Sequence, residues 1–227
     1  MASDKSNREA HYASVIDEVR KGGVANLQMG VGIAWAFYDD PKRLAFTFAR
    51  YKFAAKMLSG CRSVLEVGCG DGFATRILRQ EINNVTAIDV DDTFITNAIS
   101  LKSEKWPIEF FVHDMISDGP VPGSFEAAVC LDVIEHINIE DYPQFLENLV
   151  ASVSTSGVVI IGAPSLESQE WASPQSKIGH VSCQSQSIMK SILEPYFTRV
   201  FMFSMNDEII HTGFSKMSHY NLALCVK

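Results

Sequence analysis

The residues able to do chemistry in this 227-residue chain fall into three groups. Glu66-Val-Gly68-Cys69-Gly70-Asp-Gly72 sets an acidic residue ahead of three alternating glycines. Glycines at such a turn let the backbone approach a ligand, and the helix that follows offers free N–H groups to an anion. Asp89 lies 21 residues beyond Gly68, and a carboxylate placed there at a strand end can accept both hydroxyls of a ribose. The second group, Asp132-Val-Ile-Glu135-His136, puts three polar side chains at spacings of three and four, on one side of a turn entering a helix. The third is the set of histidines 11, 113, 136, 180, 211 and 219. His180 is the candidate base near neutral pH, the alternative being a loop histidine bonded to backbone. Together Asp132, Glu135, His136 and His180 also form an oxygen-and-nitrogen donor set of the kind that holds a metal.

The elements that must position these groups alternate in type. Short apolar runs at 63–67, 85–89, 109–112, 127–131 and 157–162 read as strands. Helical patterns at 73–80 and 93–101, and another running through Leu149, separate most of them. Such alternation predicts an α/β fold with a parallel sheet. Residues 1–60 read as a helical N-terminal cap on a second unit, 61–227. The helix at 43–58 carries Leu44, Phe48, Tyr51, Ala55 and Leu58 along one face. Beyond the fifth strand, 165–187 holds seven serines with Pro174 and Gly179, and reads as one long loop serving as a lid. A helix at 188–196 and strands at 199–203 and 221–226 complete the chain. The segment 206–220 either wraps a ligand pocket or forms a subunit contact.

Composition narrows the partners. Nineteen basic against 27 acidic residues give a net charge of −8, which disfavours nucleic acid. No apolar stretch reaches membrane-spanning length, and the polar N-terminus lacks the apolar run of a signal peptide. The five cysteines, 61, 69, 130, 183 and 225, are odd in number and scattered, which points to a reducing cytoplasm without disulfides.

Two cofactor classes use this layout. A dinucleotide loop wants G-x-G-x-x-G, and here the third glycine falls one residue early. The string Glu66-x-Gly68-x-Gly70-x-Gly72 instead resembles motif I of the class I S-adenosylmethionine (SAM) dependent methyltransferases. Asp114 after the third strand, 124–137 around the fourth and 157–161 at the fifth are similar to that family as well, so the resemblance spans roughly 61–162. It implies a Rossmann-like, doubly wound, mostly parallel sheet of seven strands in the order 3-2-1-4-5-7-6, with an antiparallel last strand. It also implies SAM as cofactor. In that reading Gly68 and Gly70, flanking Cys69, pass the methionine part, and Glu66 braces the loop or reaches the cofactor amine through water. Asp89 holds the ribose, Val90 packs on the adenine, and Asp114 with Met115 flanks its other edge. The Leu131 carbonyl receives the ammonium. Arg50 either meets the cofactor carboxylate or is a solvated helix arginine.

The acceptor is narrowed by absences. Neither an Asn/Asp-Pro-Pro-aromatic string, nor a Pro-Cys nucleophile, nor a paired-glutamate loop is present, which leaves a small molecule as the favoured acceptor class. The reading is O-methylation of a hydroxyl, with His180 and His136 as the catalytic candidates. The alternatives are N-methylation of a small metabolite, metal-dependent 2′-O-methylation of an RNA end, and a non-catalytic SAM-binding subunit. Asp132-Val-Ile-Glu135-His136 with His180 is similar to the ExxEH-plus-histidine arrangement of small-RNA terminal methyltransferases and some quinone O-methyltransferases. Asp132 replaces their first glutamate, and the same string occurs in methyltransferases that use no metal. A divalent metal is therefore the secondary reading, and the oligomeric state is left open.

Overall fold

Runs of alternating apolar residues end at glycines or aspartates, and each such run becomes a strand whose odd and even positions feed opposite layers. A computed structural model describes residues 2–21 and 27–227. The strands are β1 (Ser63–Val67), β2 (Asn84–Asp89), β3 (Glu109–Val112), β4 (Phe125–Leu131), β5 (Val153–Pro164), β6 (Arg199–Asn206), β7 (Ile209–His211) and β8 (Tyr220–Val226). They form one sheet in the order β3-β2-β1-β4-β5-β8-β6-β7. Strands β1 to β5 pair in parallel, whereas β8 runs antiparallel to both β5 and β6.

The α-helices are α1 (Ala2–Lys21), α2 (Val31–Asp39), α3 (Lys42–Met57), α4 (Thr75–Glu81), α5 (Asp92–Ser100), α6 (Tyr142–Ser152), α7 (Pro174–Gly179) and α8 (Gln186–Leu193). Val64, Ala87, Ala127 and Ile160 face Tyr51 and Ala54 of α3, Leu58 just past its end, and Leu78 of α4. Their neighbours Leu65, Ile88, Ala128 and Ile161 face Phe145 and Leu149 of α6 and Met189 and Leu193 of α8. One residue of register would exchange the two cores, so the pattern fixes the pairing. Residues 1 and 22–26 of the expected N-terminal cap lie outside the described residues.

Two expectations are corrected. The sheet has eight strands rather than seven, because Asp207, at φ +48, turns the chain back after Asn206 and Ile209–His211 pairs as a hairpin on β6. The supposed long loop at 165–187 contains a 3₁₀ turn (Glu167–Trp171), all of α7 and the start of α8. Two of the serines are helix caps, and Ser165 and Ser182 tie the segment to the body of the fold. Ser173 accepts the Ser176 N–H ahead of Pro174, and Ser185 accepts that of Ile188.

Helix α3 is joined to β1 by a buried polar pair. The Tyr51 hydroxyl donates to Glu66 Oε1 at 2.6 Å. Burial pushes the Glu66 carboxyl up to about 7, despite that hydrogen bond, with Asp89 and Asp71 adding to the rise. The folded protein therefore holds this proton at a pH where the unfolded chain has released it. Stability falls as pH rises from about 4.5 to about 7, by about 3 kcal/mol, and is flat on either side. Glu66→Gln keeps an acceptor for Tyr51 and carries no charge. Urea denaturation between pH 5 and 8 should show this pH dependence vanish and the variant exceed the wild type above pH 7.

Candidate active site

At the carboxyl end of β1 the chain must pass under its neighbours with no side chain in the way. Gly68, Gly70 and Gly72 all take positive φ, at +76°, +54° and +68°. A Cβ on Gly68 would lie 2.1 Å from Val133 Cγ2, whereas one on Gly70 would meet nothing within 4 Å. The loop thus packs tightly on one side and lies open on the other. Asp89, at the end of β2, fastens it: one carboxylate oxygen accepts the Gly70 N–H at 2.8 Å and the other accepts that of Asp91 at 3.0 Å.

A cleft of about 590 Å³ opens there, at the carboxyl edge of the sheet. Six of the expected cofactor residues line it: Gly68, Gly70, Asp89, Val90, Asp114 and Met115. Val90 is 66% exposed, an apolar face available to a flat ring. Asp114 is held by the Ile116 N–H at 2.8 Å and the Ser117 hydroxyl at 2.9 Å. The other four expected residues do not line the cleft. Glu66 is turned inward to Tyr51. Cys69 is buried, and its N–H donates to the Ile88 carbonyl. The Leu131 side chain is buried where β4 meets Gly162. Arg50 reaches from α3 to the end of β4.

The Arg50 guanidinium ion-pairs with Asp132 at 3.2 Å, leaves its buried Nε–H without an acceptor, and lies 4.4 Å from the Tyr220 ring centre. Burial opposes its charge, yet Asp132 leads the neighbours that hold its pKa above the usual value. Asp132 itself takes φ +58, a region a non-glycine residue enters only under constraint. It is turned to Arg50 and, although close enough to act on Glu135, is not one of the grouped donors Glu135, His136 and His180.

Those three residues offer ligand atoms all within 4.8 Å of one another. Glu135 sits in a 3₁₀ turn (Ile134–His136), is buried, and leaves Oε2 without a partner. Burial, reinforced by Asp132, pushes its carboxyl well above the usual range. His136 lines the cleft, and its Nδ1 bonds the Gly179 carbonyl at 2.8 Å. His180 bonds Gln169 Oε1 through Nδ1 at 3.0 Å, and the two imidazole rings lie edge to face at 5.2 Å. Burial, then the neighbouring His136, lowers the His180 pKa, so it is neutral at pH 7. The segment carrying His180 is stitched down: Val181 and Ser182 donate backbone N–H groups to the Glu135 carbonyl at 2.8 and 3.1 Å.

Sequence reasoning missed two contributors. Tyr51 was counted only as an apolar helix position, although an aromatic hydroxyl facing a motif carboxylate was there to be weighed. Asp71 was passed over between two glycines, and the Gly30-Val-Gly32 pair that packs around it was the available signal.

Residues 64–157 match the family described as "Methyltransferase domain". Ubiquinone biosynthesis O-methyltransferase of Rickettsia bellii is 30% identical over 122 residues, covering 54% of this chain and 50% of the relative. The chain spans about half the length of the curated relatives it matches. Among solved structures, the methyltransferase domain of bacterial CtHen1-C has a TM-score of 0.65 at 17% identity, over 80% of this chain and 98% of that one. N-methyltransferase NodS from Bradyrhizobium japonicum WM9, in complex with S-adenosyl-L-homocysteine, gives 0.61 at 19% identity, over 85% and 91%. These structures share the fold. With motif I, the cleft and the family match in agreement, residues 64–157 form a methyltransferase domain of the SAM-dependent class.

Proposed function

We propose that this chain transfers the SAM methyl group to a hydroxyl of a small-molecule acceptor. The observation that carries the reading is a neutral, oriented imidazole, His180, beside the cleft-lining His136. SAM supplies a methyl on a sulfonium, which the acceptor oxygen displaces in line, leaving neutral S-adenosylhomocysteine. The chain's part is to hold and to deprotonate. Asp89 receives the ribose hydroxyls, Val90 covers the adenine, and Asp114 and Met115 close its edge. The open side of Gly70 admits the methionine part, and Arg50 acts from outside the cleft by holding Asp132, which lines it. With Nδ1–H donated to Gln169, His180 keeps a basic Nε2 for the acceptor proton. The net charge of −8 and the similarity to a ubiquinone biosynthesis O-methyltransferase support a small acceptor over nucleic acid. Among the described residues no helix is long and apolar enough to cross a membrane, and the five free cysteines support a reducing, cytoplasmic setting.

A second reading rests on the buried, unpartnered Glu135 Oε2. With both imidazoles bonded through Nδ1, their Nε2 atoms and Glu135 form a donor set that fits a divalent metal. Such an ion would lower the pKa of a bound acceptor hydroxyl.

Asp89→Ala removes charge-assisted bonds and should weaken SAM binding by about 2–3 kcal/mol. Calorimetry with SAM, S-adenosylhomocysteine and NAD checks this, and tight NAD binding without SAM binding would sink the assignment. His180→Ala should leave SAM affinity nearly intact and slow methyl transfer by about 10²–10⁴-fold, measured with labelled SAM and a panel of hydroxylated acceptors. For the wild type, the fall of kcat/KM on acidification should be displaced to lower pH than an unperturbed histidine would give, since burial and His136 lower the His180 pKa. EDTA should abolish turnover, and Mg²⁺ or Mn²⁺ restore it, only under the metal reading. Wild-type turnover by His180→Ala would remove this residue from both.

A further inference from the structure

The glycine loop has an attachment outside the cleft. Asp71, between Gly70 and Gly72, is buried and does not line the cleft. One of its oxygens accepts the Phe73 N–H at 3.0 Å, within the loop. The other accepts the Ile33 N–H at 2.8 Å, in the first turn of α2. The N-cap of α2 is Gly30, which has no side chain to cap with. Asp71 therefore caps this helix from a remote part of the chain.

The fit demands glycine on the helix side. A Cβ on Gly30 would lie 2.1 Å from Asp71 Cγ, and one on Gly32 would lie 3.3 Å from Asp71 Oδ2 and 3.4 Å from the Phe94 ring. Phe94 in turn lines the cleft. Helix α2 has little else to hold it. It buries no residue, and Trp35, Phe37 and Tyr38 are exposed. Its other attachments are the Val31 N–H donated to Asn97, the Arg43 guanidinium over Trp35, and the ion pair of Asp39 with Arg43.

We propose that Asp71 is a positioning residue that makes docking of α2 and occupation of the cofactor cleft a single equilibrium. The same carboxylate shapes the loop that meets the cofactor and caps the helix. A loop ordered by cofactor presents Asp71 in capping geometry, and a capped α2 holds the loop in that geometry. If α2 leaves, a buried oxygen loses its donor. Linkage then requires that any change undocking α2 weakens cofactor binding by the factor by which cofactor strengthens docking. The inference rests on the SAM-binding assignment.

The test uses S-adenosylhomocysteine as probe, with calorimetry and hydrogen–deuterium exchange over residues 27–41, on the full chain. In the wild type the ligand should slow exchange in α2. Gly30→Ala is the decisive variant: Gly30 is remote in sequence from the loop, and its φ of −66° suits any residue, so the change acts through the clash with Asp71 alone. It should weaken binding about tenfold and remove the protection of α2. Asp71→Ala should do the same, and Asp71→Asn, which keeps one acceptor oxygen, should fall between it and the wild type. Wild-type affinity in Gly30→Ala would overturn the coupling and leave Asp71 as a brace within its loop. Failure of the wild type to bind the probe at all would overturn the cofactor assignment along with it.

Discussion

The carboxyl edge of the sheet is organised around one guanidinium taken out of water. Arg50 belongs to α3, pairs with the residue that ends β4, and stacks on the first residue of β8. Three elements far apart in sequence are thereby fixed to one point. An isolated buried cation would be costly, and so would an aspartate at φ +58, at about 1–3 kcal/mol. Each cost is met by the other, since the strained backbone at Asp132 is what aims its carboxylate at Arg50. The strain also sets the exit of the chain from β4. The 3₁₀ turn that follows sends Glu135 inward and leaves His136 at the cleft.

The two buried glutamates next to this pair show how similar burial serves different ends. Burial raises the carboxyl of both. Glu66 is answered by the Tyr51 hydroxyl and ties α3 to β1. Glu135 answers instead through its backbone: its carbonyl accepts two N–H groups from the segment bearing His180, while one carboxyl oxygen is left over. The backbone of Glu135 thus places His180, and its side chain supplies the polar atom facing both imidazoles. Backbone and side chain of one residue thus shape the polar cluster beside the cleft.

Much of this was legible from residue type and spacing. Strand alternation, the glycine loop and the carboxylate 21 residues beyond Gly68 depend on local rules, because a glycine at positive φ or an apolar strand is dictated where it stands. The misreadings share a cause. Serines between 165 and 187 look like linker until it is known which N–H groups lie three residues ahead in helical geometry. Ile209–His211 is too short to declare itself a strand and becomes one only because β6 offers an edge. The roles of Tyr51, Asp71 and Arg50 each need a partner from another element, so no window of sequence contains them.

The same division separates cofactor from acceptor. The family match ends at residue 157, before the His180 segment and before β6, β7 and β8. Within one fold, a cofactor of fixed shape calls for the same kind of turn and strand-end carboxylate at the same sheet edge. The acceptor imposes nothing common, so the elements that meet it are free to differ while the sheet beneath them stays the same. In this chain the two halves share one sheet, in which β5 pairs with both β4 and β8, and beside the cleft they are joined again by the Glu135 carbonyl to Val181 and Ser182, by His136 to the Gly179 carbonyl and by Arg50 over Tyr220. The segments beyond β5 can vary in sequence while the shared sheet keeps the glycine loop in place. That is why the cofactor is written in a short string of residues, while the acceptor site proposed at His136 and His180 rests on geometry that no short string contains.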